Sequence, residues 1–318
     1  TGLSGGAISQ HHGIILALTR MTRILEVDIQ NQFAVVEPGV VNLNLTHAVS
    51  KYGLYYAPDP SSQKVCTIGG NVAENSGGPH CLAYGVTTDH ILGMEVVLAN
   101  GSTHWVGDLN REHPGYDLRG ILIGSEGTLA IVTKVAVRLL RQPECVKTLL
   151  AVFRQLDQAS AAVSAIIGAG IVPSAIEMMD HLCIQAAEAA VHAGYPSDAG
   201  AVLLVEVDGL KEAVEEETDD IEQICQKYKP IEVRTASDEV QRERLWSGRK
   251  GVLGALGRLA PNYYLVDGTI PRTKLVEVLN KIQQISRDSG LPWASQFVMD
   301  FESPEFDSNF DTNHAKIP

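Results

Sequence analysis

Apolar and polar positions along the chain follow two different patterns. Up to about residue 140, short β-branched runs alternate with glycine-rich breaks. FAVVEPGV, ILGMEVVLANG and GTLAIVTKVAVRLL read as strands, with turn signals at Asn100-Gly101 and Gly124–Gly127. LNLTHAVSKYGL, residues 43–54, has helical apolar spacing and ends at Gly53, a C-cap residue type. After Pro143, the strand-like TLLAVF, AIEMMD, AVLLVEVDG and NYYLVDGTI alternate with helical stretches. KEAVEEETDDIEQICQKY, residues 211–228, lines up Val214, Ile221, Ile224, Cys225 and Tyr228 on one side and leaves an acidic, solvated side opposite. TKLVEVLNKIQQISRDSG is a further amphipathic helix stopped by Gly290. This order predicts an α+β second domain, helices covering one face of a sheet, and a boundary near residues 141–147.

From about residue 292 the periodicity fades. LPWASQFVMDFESPEFDSNFDTNHAKIP carries Phe297, Phe301, Phe306 and Phe310, four of the chain's six phenylalanines. Such an end is expected to be disordered or non-native, as a shifted reading frame would make it. The longest uncharged run, QASAAVSAIIGAGIVPSAI, has the length of a membrane span. Its serines, glycines and Pro173 instead predict a helix ending near Gly168 or Gly170, then a turn into a strand.

Composition narrows the function classes. The 318 residues suffice for two domains, and 45% hydrophobic with 20% charged residues is globular. Twenty-five basic against 38 acidic residues give a net charge of -13 with no basic cluster, which argues against nucleic acid and anionic membranes. Five widely spaced cysteines without a CxxC read as reduced, cytoplasmic thiols. The histidines show no HxxH or HExxH spacing, so no metal site is expected.

Three glycine clusters remain: TGLSGGA (1–7), PDPSSQKVCTIGGNVAENSGG (58–78) and GSEGTLAIVT (124–133). Glycine lets backbone N–H groups approach an anion, and Ser4, Thr67, Ser76, Ser125 and Thr128 add hydroxyl donors. None is a GxGxxG between strand and helix or a GxxxxGK[ST], so neither a nicotinamide site nor a P-loop is supported.

In this order the three clusters resemble the FAD-binding domain of the vanillyl-alcohol-oxidase type flavoproteins, and within that group the D-2-hydroxyacid dehydrogenases. The resemblance runs to about residue 290 and includes LWSGRKGVLGALGRLAPNYYLVDGTIPRTKL. It implies an FAD-binding domain over residues 1–142, lacking its N-terminal part. An incomplete α+β substrate or cap domain follows over 143–291, an antiparallel sheet covered by helices, and then the atypical tail, 292–318. It also implies FAD contacts. Gly2, Leu3, Ser4, Gly5 and Gly6 match the pyrophosphate loop. Pro58, Asp59, Thr67, Gly69, Gly70, Asn71, Asn75 and Gly78 match the second stretch, and Gly124, Glu126, Gly127, Thr128 and Ile131 the third. Where some members attach FAD through histidine this chain has Thr1, so FAD is expected to be non-covalent.

Arg249 matches the position that holds the substrate carboxylate, with Lys250 and Arg258 as weaker candidates. Some members carry a substrate-binding lysine where Leu265 stands, two residues before Asp267, which favours a small monocarboxylate. The family's HxGDGNxH segment, source of its base and metal ligands, is not found. The implied activity is oxidation of a small D-2-hydroxy acid, glycolate or D-lactate, with electrons passed to a partner subunit or quinone. The protein would be cytoplasmic, or peripheral at a membrane through those partners. The alternative is an inactive fragment or subunit that keeps the fold as an assembly surface.

Overall fold

The computed structural model describes residues 2, 5–9, 12–109, 115–260, 262, 264–266 and 268–298. Thr1, Leu3, Ser4, His11, Asp267 and residues 299–318 of the tail lie outside the described residues.

The first unit runs β1 (Ile24–Asp28), β2 (Phe33–Val36), α1 (Asn42–Ser50), β3 (Leu54–Tyr55), α2 (Ile68–Glu74), α3 (Cys81–Tyr84), α4 (Thr87–His90), β4 (Ile91–Val97), β5 (Thr103–Gly107), α5 (Leu118–Leu122), β6 (Ile131–Arg138) and β7 (Leu140–Arg141). Five strands form an antiparallel sheet in the order β1-β2-β6-β4-β5, and β3 pairs with β7. Alternate residues of β2, β4 and β6 (Ala34, Val36, Met94, Val96, Val135 and Val137) pack beneath Leu45 and Val49 of α1 and Ile68 and Val72 of α2. This core fixes α2 against the sheet, and α2 positions the glycine clusters.

The second unit runs β8 (Cys145–Phe153), α6 (Leu156–Gly168), β9 (Ala175–Asp180), α7 (His181–Val191), β10 (Ala201–Gly209), α8 (Lys211–Gln226), β11 (Glu232–Thr235), α9 (Glu239–Leu256), α10 (Leu275–Ser289) and β12 (Gln296–Val298). Its antiparallel sheet has the order β11-β8-β10-β9-β12. Helices cover both faces of this sheet rather than the one expected. Leu149, Phe153, Met178 and Leu203 face α6, α8 and α10, while Leu150, Val152, Met179 and Leu204 face α7 and α9. The reason is written in AVLLVEV, which is apolar at both strand parities and so needs cover on both sides.

NYYLVDGTI departs from its expected strand: residues 264–266 and 268–270 belong to no strand or helix. Tyr264 is 89% and Val266 75% exposed, so the β propensity there finds neither partner strand nor core. Within the set-aside segment, Gln296–Val298 pair with Glu177–Met179 of β9. Among the described residues no helix is long and apolar enough to cross a membrane.

Candidate functional site

The three glycine clusters converge on α2. Thr67 caps its N-terminus, with Oγ1 accepting from Gly70 N at 3.2 Å. Asn75 ends it in the left-handed conformation, φ 48°. The third cluster docks on its last turn, Gly124 N donating to Val72 O at 2.8 Å and Glu126 N to Ala73 O at 2.9 Å. The first cluster approaches the same turn: a Cβ on Gly2 would lie 3.2 Å from Glu74 Oε1. Gly5 and Gly6 belong to an exposed turn closed by Ile8 N to Gly5 O at 3.0 Å. Thr128 turns back on Ser125 O, and Ile131 opens β6 opposite Val97. Asn71 is 1% exposed, and among the described residues its amide makes no close hydrogen bond, with the Cys66 thiol as its polar neighbour. A buried carboxamide without a close partner costs about 1–3 kcal/mol, which sets Asn71 apart within the cluster.

Pro58 and Asp59 lead from this cradle toward the second unit. Pro58 O accepts from Asn42 Nδ2 at 2.9 Å. Gly78 lies so close that a Cβ there would sit 2.5 Å from Asp59 Oδ1 and 2.6 Å from its backbone. Gly78→Ala is therefore expected to destabilise the protein by about 1–3 kcal/mol, read by denaturant unfolding. An unchanged midpoint would mean that this contact is not tight.

The Asp59 carboxylate faces the second unit. Its Oδ2 accepts from Lys250 Nζ at 2.9 Å and meets His80 Nδ1 at 2.9 Å. The other ring nitrogen of His80 reaches Glu206 Oε1 on β10 at 3.0 Å. Glu206 also accepts from Arg242 Nη1 at 3.0 and 3.1 Å, Trp246 Nε1 at 2.5 Å and Thr148 Oγ1. Tyr84 OH donates to Asp208 Oδ1 at 2.6 Å, and Leu82 inserts into the second unit's core.

Burial alone would neutralise these groups, but their partners outweigh it. Burial raises the Asp59 carboxyl, yet His80 and Lys250 hold it at about 2. Burial likewise raises Glu206, and His80, Arg242 and Thr148 bring it to about 2. Burial depresses His80, but Asp59 and Glu206 lift it to about 10, so the imidazole is a cation locked between two carboxylates.

Helix α9 delivers one side of this cluster. Asp238 caps it, accepting from Gln241 N at 2.8 Å, and the helix continues unbroken through Arg242, Trp246, Arg249 and Lys250. Gly248 allows the close seat: a Cβ there would meet Ala193 Cβ at 2.5 Å and the Tyr195 ring at 2.7 Å. Tyr195 OH donates to Leu245 O in the same contact.

Arg249 is 3% exposed. Its Nε donates to Glu177 Oε2 on β9 at 2.7 Å. With the Gln296 amide oxygen turned toward the guanidinium, it meets Nη1, Nε at 2.8 Å and Nη2 at 2.7 Å. Glu177 Oε1 is buried, without a partner among the described residues. Burial pushes the Glu177 carboxyl up and Arg249 pulls it back, leaving it at about 7.

Of the residues singled out in the sequence, Gly2, Thr67, Gly70, Asn71, Asn75, Gly124 and Glu126 gather around α2. Gly69 is on α2 against Pro38, and Gly127 continues the docked turn. Arg249 stands in the second unit beside Lys250, whose ammonium reaches Asp59. Arg258 lies apart, donating to Ala189 O. The sequence reading passed over Glu177, Glu206, His80, Arg242 and Trp246. A lone carboxylate inside an apolar strand, as in AIEMMD and LLVEVD, was the signal for the two glutamates. Among the described residues no three His, Cys, Asp or Glu side chains converge to hold a metal.

Residues 1–107 match the family described as FAD binding domain, and residues 142–299 match FAD linked oxidases, C-terminal domain. The chain is 46% identical to glycolate oxidase subunit GlcD of Escherichia coli (strain K12) over 93% of its own length and 60% of that protein's. It is 30% identical to D-lactate dehydrogenase of Anaerostipes hadrus, over 91% of this chain and 62% of that one. Among solved structures, p-cresol methylhydroxylase with substrate bound superimposes with a TM-score of 0.70 at 17% identity, over 90% of this chain and 63% of that one, a likeness of fold. The chain thus spans about three-fifths of the length of these curated relatives.

Proposed function

Because the chain belongs to the FAD-linked oxidases of the vanillyl-alcohol-oxidase type, oxidoreductases whose cofactor is FAD, we propose that it oxidises a small D-2-hydroxy acid, glycolate or D-lactate, to the 2-oxo acid. The observation that carries this reading is Arg249, a buried guanidinium on the helix that Lys250 ties to Asp59, next to the glycine cradle. Arginine binds a carboxylate through two parallel N–H donors, which fixes the substrate's orientation as well as its position.

The residues present fit FAD. The buried Asn71 amide, with only the Cys66 thiol beside it among the described residues, can take a polar partner, and the clusters converging on α2 offer backbone N–H groups with little side-chain bulk. Gly2, Gly5, Gly6, Gly69, Gly70, Asn71, Asn75 and Gly78 would hold it on one side, and Gly124, Glu126, Gly127, Thr128 and Ile131 on the other; Leu3 and Ser4 complete the first loop in sequence. Thr67 would shape the cradle through its cap. The Asp59 carboxylate is committed to His80 and Lys250, so Pro58 and Asp59 would meet the cofactor through backbone. When bound, FAD supplies the two-electron acceptor at flavin N5. This chain's own work is to hold the substrate carboxylate at Arg249 and keep water out of a site built from buried strands.

Leu265 offers no charge where some relatives carry a cation, which favours a monocarboxylate. The E. coli relative is by name a subunit, which supports partner subunits for this chain, and these are the expected recipients of the electrons. Thr1, at the position of covalent attachment in some relatives, cannot form that bond, so the flavin is held non-covalently. With FAD and an artificial electron acceptor, the protein is expected to form a 2-oxo acid from glycolate or D-lactate. Acid precipitation is expected to leave the yellow flavin in the supernatant. Absence of product with both substrates would refute the assigned chemistry, and a yellow precipitate the non-covalent mode.

A further inference from the structure

Arg249 and its surroundings are arranged as a carboxylate site already occupied by stand-ins. Its side chain is buried, and among the described residues its one anionic partner is Glu177, at 2.7 Å. Turned toward the guanidinium, the Gln296 oxygen meets all three of its nitrogens, so an incoming carboxylate can pair with Arg249 only if that amide moves away. Glu177 engages Arg249 through Oε2, and among the described residues its second oxygen is buried with no donor. A substrate anion seated on this guanidinium would thus share one cation with a second, desolvated carboxylate. Two carboxylates in one buried site do not both stay ionised.

We propose that a small carboxylate binds Arg249 by displacing the Gln296 amide, and that Glu177 takes up one proton from solvent as it binds. The proposal rests on the reading of Arg249 as the substrate-carboxylate residue. Atoms and charge balance simply: one anion and one proton enter, no bond is broken in the ligand, and the Glu177 carboxylate becomes a carboxylic acid. The guanidinium then faces the ligand alone, and Glu177 becomes a positioning residue behind it.

The surrounding groups leave Glu177 as the one that titrates in the relevant range. Arg249 faces it from α9, and Asp59 and His80 face it from the first unit; Lys250 is held on Asp59. Asp59 is ionised from about 2 upward and His80 stays cationic to about 10. Tyr195, from the loop after α7, and Cys183 beside Arg249 are both pushed up by burial and remain neutral. Gln296, from β12, carries no charge. Glu177 itself sits near 7 without ligand, and a bound anion can only move it higher.

Linkage then fixes the result. Below pH 7 Glu177 is already protonated and affinity is flat. Above it, Kd is expected to weaken about tenfold per pH unit, until the pKa of the complex is reached. Acetate and glycolate serve as probes, titrated calorimetrically at pH 8 in two buffers of different ionisation enthalpy. Wild type is expected to take up close to one proton per carboxylate bound. Glu177→Gln is expected to take up none and to bind at pH 8 as tightly as wild type does at pH 6. Infrared difference spectra of the wild type, with isotopically labelled acetate, should gain a protonated-carboxyl stretch, so the test does not depend on the variant folding.

Binding of acetate or glycolate without proton uptake, or equal uptake in Glu177→Gln, overturns the proposal and leaves the substrate reading intact. Absence of acetate binding also overturns it. Acetate binding with uptake, in a protein whose flavin glycolate and D-lactate both fail to reduce, sustains the proton coupling and removes the substrate reading.

Discussion

Glu206→Ala is expected to cost about 3–5 kcal/mol of stability, the range for breaking a buried ion pair from one side. The side chain accepts from Arg242, Trp246 and Thr148 and holds one nitrogen of His80. Removing it takes a shared acceptor from all four: His80 keeps only Asp59 and Arg242 only Glu239, and both stay charged in a half-buried setting. Three linked groups give the pH signature. Glu206 and Asp59 sit at about 2, below their ordinary 4.5 and 3.8, so their contribution is present above those ordinary values and is lost as pH falls through 2. His80 sits at about 10, above its ordinary 6.5, so its contribution is complete below 6.5 and fades as pH rises through 10. The junction between the units is strongest between about pH 4.5 and 6.5. Denaturant unfolding across pH should show this plateau in wild type and lose most of it in Glu206→Ala. Glu216→Ala, on the exposed side of α8, should stay within about 0.5 kcal/mol of wild type. A Glu206→Ala protein as stable as Glu216→Ala would mean the cluster does not join the units.

Arg249→Met is expected to lower kcat/KM for the 2-hydroxy acid by at least about 30-fold, the lower end of removing one member of a buried, hydrogen-bonded charge pair. The variant also leaves Glu177 buried without its cation. Burial then dominates and pushes Glu177 further up, so it becomes a neutral acid at neutral pH. The double variant Arg249→Met/Glu177→Gln separates the two effects. It should recover most of the stability lost in Arg249→Met, because no unpaired carboxylate remains, and should recover none of the activity. Activity returning with stability would show that Arg249 serves only to neutralise Glu177.

The second unit was the more legible of the two. AIEMMD and AVLLVEVDG match Ala175–Asp180 and Ala201–Gly209, because uninterrupted apolar runs between turn residues have one economical conformation. The same runs carried information that was passed over. Apolar residues at both parities required helices on both faces, and the acidic residue within each run required a buried cation. NYYLVDGTI misled because propensity acts only where a neighbouring strand is offered, and the topology offers none to these residues. The glycine clusters were legible as backbone surfaces. Their convergence on α2 was not, since it depends on contacts between Gly124 and Val72 and between Glu126 and Ala73, some fifty residues apart. Arg249 came from likeness to a family. Its pairing with Glu177, and the clamp of Asp59, His80, Glu206 and Lys250, come from packing between units that no local pattern encodes.

On the proposed reading, the glycine cradle and Arg249 form one site for FAD and a small 2-hydroxy acid. Its most direct measurement is the flavin absorbance of the FAD-loaded protein, mixed without oxygen with glycolate and, separately, with D-lactate. Bleaching of the oxidised flavin band by at least one of them, slowed at least about 30-fold in Arg249→Met, is the expected result. A band that stays oxidised with both substrates, or bleaches equally fast without Arg249, would contradict it.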